Sequence, residues 1–153
     1  MRSLLAALVL FAAPVLADDT CKVEAGPNDV VKKTGDVVIE PGQVVEDAVT
    51  LDGKVTIKKG ATVKNAISFH GDVVVEDGAT VTKTALTLGG NVQLAKGASV
   101  KSTVEISDKG LKLRGEDGKD VDVNITIGGK SLGQRIADEA LAKMKNCHIV
   151  AKK

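Results

Sequence analysis

Apolar residues in the middle of the chain keep a fixed rhythm. From Gly35 to Ser107, short runs of alternating aliphatic residues recur between glycines at 35, 53, 71 and 90, with a second glycine series at 42, 60, 78 and 97. The spacings are 18, 18 and 19 residues in both series, and each unit reads roughly G-x-V-x-I-x-x-G-x-x-V-x-x-A-V-T-L-x. A constant period of this length, built from short β-type runs with glycine punctuation, predicts a solenoid. Aligned by column, Val37, Val55, Val73 and Val92 coincide, as do Ile39, Ile57, Val75 and Leu94, and then Val45, Val63, Val81 and Val100. After one inserted residue near Lys83, Val49, Ile67, Leu86 and Val104 form a fourth column, and Leu51, Phe69, Leu88 and Ile106 a fifth. Period-2 spacing within a run marks a strand, and all five columns are expected to face the core. Gly42 and its equivalents, with Ala48, Ala66 and Ala85, are expected at corners too tight for a larger side chain. The predicted fold is all-β: a parallel β-helix with coils of about 18 residues.

Polar positions give an independent check on that register. Asp36, Lys54 and Asp72 share one column, and Glu40, Lys58 and Glu76 another. Lys59, Asp77 and Lys96 make a third, and Glu46 with Lys64 a fourth. Seven neighbouring pairs in these columns carry two charges, and all seven are opposite in sign. In-register coils about 4.8 Å apart place such groups side by side, where like charges destabilise. Each exposed pair contributes little to stability. Together they disfavour a slipped register.

The period ends at Ser107. Leu111 and Leu113 lead into Gly115-Glu116-Asp117-Gly118-Lys119, followed by alternating Val121, Val123, Ile125 and Ile127, which predicts a hairpin with a polar turn or a widened last coil. Ser131 and Gln134 form a capping box for an amphipathic helix to about residue 145, with Leu132, Ile136, Ala137, Ala140, Leu141 and Met144 on one face. The organisation expected is a signal peptide over 1–17, an N-terminal cap segment over 18–34, repeats over 35–107, and the hairpin with its capping helix over 108–153. The cap segment holds little apolar sequence beyond Val23 and Val30-Val31. Its end of the solenoid is therefore expected to be thinly covered, and the C-terminal end protected.

Residues 1–17, MRSLLAALVLFAAPVLA, have the charged start, short apolar core and small-residue end of a secretory signal. A periplasmic or secreted location follows, with no integral membrane segment after cleavage. Cys21 and Cys147 are the only cysteines, and in an exported chain two cysteines usually pair. A helix of some 15 residues, about 22 Å long, suffices to run back along four coils and bring Cys147 to Cys21. Basic and acidic residues nearly balance, 21 against 20, so no net charge draws the chain to nucleic acid. Phe69 is the sole aromatic residue after position 17, which counts against sites that stack sugars or bases.

The stretches Gly71-Asp-Val-Val-Val-Glu-Asp-Gly78-Ala-Thr-Val81 and Gly53-Lys-Val-Thr-Ile-Lys-Lys-Gly60-Ala-Thr-Val63 resemble the bactofilins, bacterial polymer-forming proteins. The resemblance covers about half the chain. It implies a right-handed β-helix and end-to-end self-association without a nucleotide, and it brings no catalytic residues. The export signal, the cysteines and the C-terminal helix depart from that family.

No constellation for catalysis, cofactor or metal emerges. His70 reads as an exposed turn residue, and His148 beside Cys147 is too small a cluster for a metal. Ser68 and Ser107 lack a base and orienter. Asp117, Asp120 and Asp122 do not follow a calcium-loop spacing. Thr50, Ser68 and Thr87 read as an outward hydroxyl column, and Thr62, Thr80 and Ser99 as another. Such ranks occur on ice-binding solenoids, but Glu105 and Val44 interrupt them. The expected function is a non-enzymatic scaffold of the cell envelope that self-associates through its ends, most simply as a head-to-head homo-oligomer. The alternative is an exported binding module that presents a flat β-face or its C-terminal helix to a partner.

Overall fold

The computed structural model describes residues 22–107, 110–123, 126–127, 130–131, 135, 138–140, 142–143 and 147–151. Its centre is a β-solenoid whose coils stack in register. Strands β3 (Val37–Ile39), β5 (Val55–Ile57), β7 (Val73–Val75) and β9 (Val92–Leu94) form a parallel four-stranded wall. The longer β4 (Val44–Asp52), β6 (Thr62–Ser68), β8 (Thr80–Thr87) and β10 (Ser99–Ser107) stack in parallel beside it. Inward positions on β4 run Val45, then Ala48 and Thr50. That step of three breaks the period of two, so each long strand turns a corner at its middle and supplies two walls. The coil is thus a three-walled prism filled by Val37, Ile39, Val45, Ala48 and their stacked equivalents.

Glycine and proline set the first corner. Gln43 N donates to Glu40 O at 3.1 Å across Pro41-Gly42, and the same bond recurs from Ala61, Ala79 and Ala98. Gly42, Gly60 and Gly78 have φ near +80°, as the third residue of a type II turn requires. Space is not their constraint, since a Cβ at Gly42 would meet nothing. The other glycine series carries the steric demand instead. A Cβ at Gly53, Gly71 or Gly90 would collide with the carbonyl oxygen of Gly35, Gly53 or Gly71, respectively.

Two expected orientations are corrected here. Thr50, Ser68 and Thr87 do not form an outward hydroxyl column; all three are fully buried. Thr50 Oγ1 donates to Gly35 O at 2.8 Å, Ser68 Oγ to Gly53 O at 2.7 Å, and Thr87 Oγ1 to Gly90 O at 2.9 Å. Conversely, the columns of Val49 and Leu51 lie on the outer face of the third wall. They are covered from outside, where Leu88 and Ile106 pack with Phe69, Leu86, Val104, Leu111 and Ala140. The corner between Val45 and Ala48 reverses the phase, so inward columns on one side of it predict outward ones on the other. The inserted residue appears as a bulge at Thr82-Lys83, because Val63 pairs with Val81 while Asn65 pairs with Thr84.

The third wall outruns the others. β2 (Val30–Thr34) pairs below β4 in parallel, and β11 (Gly110–Arg114) and β12 (Asp120–Val123) extend it above β10 as an antiparallel pair, giving seven strands. The polar turn at 115–119 connects β11 and β12, as its sequence predicts. Ser131 is not a helix cap but part of β14 (Lys130–Ser131), which pairs with β13 (Thr126–Ile127); Gln134 lies outside the described residues. Helical residues are found at 135, 138–140 and 142–143. Finally, β1 (Lys22–Ala25) and β15 (His148–Ala151) pair in parallel, joining the two ends of the described chain. The residues assigned to the signal peptide, and Cys21, lie outside the described residues.

The buried hydroxyls can be tested by a shape-conserving change. Thr50→Val keeps the volume but strands the Gly35 carbonyl, and should cost about 1–3 kcal/mol in denaturant unfolding. An outward threonine would lose almost nothing. Val73→Asp, which places a carboxylate at a position with no exposure, should abolish folding.

Candidate functional site

The charge ladder lies where its columns place it. Val37, Val55 and Val73 are register partners, so Asp36, Lys54 and Asp72 are neighbours along the wall, as are Glu40, Lys58 and Glu76. Lys58 Nζ meets Glu40 Oε2 at 3.2 Å. The other carboxylates do different work. Asp36 Oδ1 accepts from Lys54 N at 2.9 Å, Glu76 Oε2 from Lys59 N at 3.2 Å, and Asp72 Oδ1 from Asn91 N at 2.8 Å. An acidic side chain thus ties its coil to the main chain of a neighbouring one, which specifies register more tightly than a mobile ion pair. His70 Nδ1 lies 3.0 Å from Asp52 Oδ1, with both side chains about two-thirds exposed.

The most distinctive chemistry sits at the prism ends. Register places Lys32 below Thr50 and Glu105 above Thr87, so the buried hydroxyl column ends in a long charged residue on each side. Both ends of the column cap the four-stranded wall. Lys32 Nζ donates to Asp36 O at 2.7 Å, and Gln43 Oε1 accepts from Glu40 N at 2.8 Å. At the far end, Glu105 Oε1 accepts from Val92 N at 2.6 Å. In lower coils that N–H is taken by main chain: Val37 N donates to Lys54 O, Val55 N to Asp72 O and Val73 N to Asn91 O. Glu105 therefore replaces the missing fifth coil. Inward-pointing charges and capped edges are a recognised defence against unwanted strand pairing.

Cover at the two ends differs from expectation. Val37 and Ile39 have no exposure at the N-terminal end, whereas Leu94, the topmost member of the Ile39 column, is 37% exposed. Val92, Ala98 and Val100 beside it are only partly buried. The C-terminal end of the four-stranded wall is the open one. Of the described C-terminal residues, β11 and β12 extend the third wall and Ala140 packs on its outer face, so sequence proximity to the last coil does not by itself make a lid.

Two hollows flank the mid-strand corner. One, about 630 Å³, is lined by Glu24, Asp29, Glu46 and Asp47 among others. There Asp29 accepts from Gly26 N and Asp47 N, and Asp47 from Asn65 Nδ2, so these carboxylates hold the loop and the corner. The other, about 310 Å³, is lined by Lys83, Thr84, Lys101, Ser102 and Glu116 at the bulge. In the hairpin, Arg114 forks onto Asp120 through Nε and Nη2. That hydrogen bond holds the Asp120 carboxyl below the usual range and raises Arg114. Asp117 accepts from Lys119 N within the turn. Among the described residues, no three histidine, cysteine or acidic side chains converge to hold a metal ion, and no helix is long and apolar enough to cross a membrane. Cys147 is fully buried, and no described cysteine is a free thiol.

Comparison with known proteins finds no matching family model, and neither a curated protein nor a solved structure matches significantly.

Reversal of one ladder charge tests the register function. Lys58→Glu would put three carboxylates in the column from Glu40 to Glu76. It should destabilise by on the order of 1 kcal/mol at low salt, with the loss shrinking as ionic strength rises. Denaturant midpoints at two salt concentrations measure both effects.

Proposed function

We propose that this protein is a non-enzymatic scaffold of the bacterial cell envelope, exported to the periplasm or beyond and clasped by a Cys21–Cys147 disulfide. The pairing of β1 with β15 carries this reading. Lys22 is opposite His148, with Val23, Glu24 and Ala25 following in parallel register. Each cysteine directly precedes one of these neighbouring strands. Paired strands lie about 4.8 Å apart, inside the Cα range of about 4.4–6.8 Å that a disulfide accepts, so a pairing continued by one residue would suit the bridge. Burial of Cys147 fits the same arrangement. A clasp of this kind closes a loop of about 125 residues, worth several kcal/mol on the chain-entropy model. It suits a rod that must keep its shape in an oxidising compartment. The bactofilin resemblance adds support for a structural role.

Self-association belongs to this reading. The third wall extends past the other two, so a coaxial copy meets β11 and β12 before its coils reach β9. That geometry favours a closed homo-oligomer over a filament, since a filament needs both ends accessible. A second reading, an exported binding module, is favoured by the exposed Leu94 and the single-sided pairing of β9.

Non-reduced mass spectrometry of the exported protein should show both thiols protected from alkylation in a monomeric chain. Two alkylated cysteines, or a dimer that vanishes on reduction, would remove the clasp. Sedimentation at tens of micromolar and several salt concentrations separates the two functions. A discrete oligomer is expected for the scaffold, and a monomer under all conditions leaves the binding module.

A further inference from the structure

We propose that the free edge of β9 is an acceptor for one extended strand of a protein partner, and that Glu105 is the gate that holds it shut. The proposal develops the binding-module reading and depends on neither the disulfide nor self-association.

The chemistry of the edge defines the occupant. β9 has one neighbour, β7, in its sheet. Its outer side presents the Val92 N–H, and then the Leu94 carbonyl at the position where Ile39, Ile57 and Val75 each accept from the following coil. Alternating donors and acceptors along an edge are satisfied by another polypeptide strand. Leu94 and Val92 add a partly open apolar floor, in the columns whose lower members, Val75 and Val73, are fully buried. The incoming segment must therefore carry aliphatic residues two apart.

The shape of the site selects a strand over a larger body. β11 and β12 rise above β10 on the third wall, so a second solenoid end cannot sit flush on this one. Among the described residues, no strand pairs with β9 on that side, so a single extended segment can enter there.

Glu105 makes the site conditional. Its carboxylate occupies the Val92 N–H that an incoming carbonyl needs. It also has somewhere to go. Lys112 of β11 is its register partner, so a displaced carboxylate can turn to that cation. Charge near Glu105 further suits a segment with lysine or arginine beside its aliphatic residues.

The probe is an acetylated, amidated peptide with the sequence of residues 53–60, Gly-Lys-Val-Thr-Ile-Lys-Lys-Gly. Within the fold this stretch pairs on top of β3, and Lys54 O accepts from Val37 N at 2.8 Å. On β9 the same carbonyl would take the Val92 N–H. Titration followed by amide chemical shifts should perturb residues 92–95. Affinity should rise about tenfold in Glu105→Ala, where one charge-assisted hydrogen bond no longer competes. Glu105→Gln, which keeps a neutral acceptor and preserves the end cap, should fall between. Leu94→Asp should abolish the shifts. The proposal is overturned by shifts confined to other residues, by equal affinity in wild type and both Glu105 variants, or by undiminished binding to Leu94→Asp. A wild type that oligomerises yet shows no peptide shifts at residues 92–95 in any variant sinks this proposal alone and leaves the scaffold intact. Peptide binding by a strict monomer does the reverse.

Discussion

Everything in this molecule depends on the in-register stacking of one coil on the next at strand spacing. Strand pairing sets the vertical spacing at about 4.8 Å. The glycine corner conforms to it only because the backbones of Gly35, Gly53, Gly71 and Gly90 pass with no room for a Cβ between them. Below the last coil the columns of Val37 and Ile39 then bury completely, because each aliphatic side chain is stacked against its equivalent in the neighbouring coil. One coil orders too many residues for the few side chains it buries, so layers are stable only when shared with neighbours. Short polar tethers lock the stack. The buried hydroxyls of Thr50 and Ser68 bind the glycine carbonyls of the corner, and Asp36 and Asp72 bind the main chain one coil up.

A stack held by repetition has a problem wherever the repetition stops. Each terminal strand offers half of a ladder and a bare aliphatic layer. Here the two ends are treated differently. The N-terminal floor is covered, and Lys32 and Gln43 satisfy edge groups of β3 and its turn. The C-terminal end keeps an exposed Leu94 under a single carboxylate cap. Lys32 and Glu105 occupy inward positions of the column that is otherwise hydroxyl, so the same pattern that builds the core also closes it. Among the described residues, the seven-stranded third wall outruns the four-stranded one, so the ends are stepped rather than flat.

Several orientations resisted a reading from pattern alone. Alternation identifies two faces of a strand without saying which is inside. A corner in the middle of β4 changes the phase, so the apolar Val49 and Leu51 point outward while Thr50 points in. An apolar outer column is intelligible once another layer covers it, and that layer, including Leu111 and Ala140, comes from sequence far along the chain. The ladder charges follow their columns, yet most of their carboxylates reach main-chain N–H groups rather than lysines. Column alignment shows which residues are neighbours and cannot show which atoms meet. Cover at the ends was inverted for a related reason: a segment adjacent to the last coil in sequence need not lie on top of it.

The sequence by itself determined the solenoid, its coil length, the in-register columns, the inserted residue near Lys83 and the polar turn at 115–119. Those features are local or strictly periodic, so the spacing of glycines, valines and alternating charges carries them. Tertiary structure decided which face of each long strand is buried, what caps the ends, and that the two extremities of the described chain meet as β1 and β15. These depend on contacts between segments that share no period. The hydroxyls of Thr50, Ser68 and Thr87 are buried only because a glycine carbonyl of the corner arrives to accept from each. Glu105 becomes a cap only because, among the described residues, no fifth strand follows β9. Both facts arise from where the chain closes on itself, which no window of sequence contains.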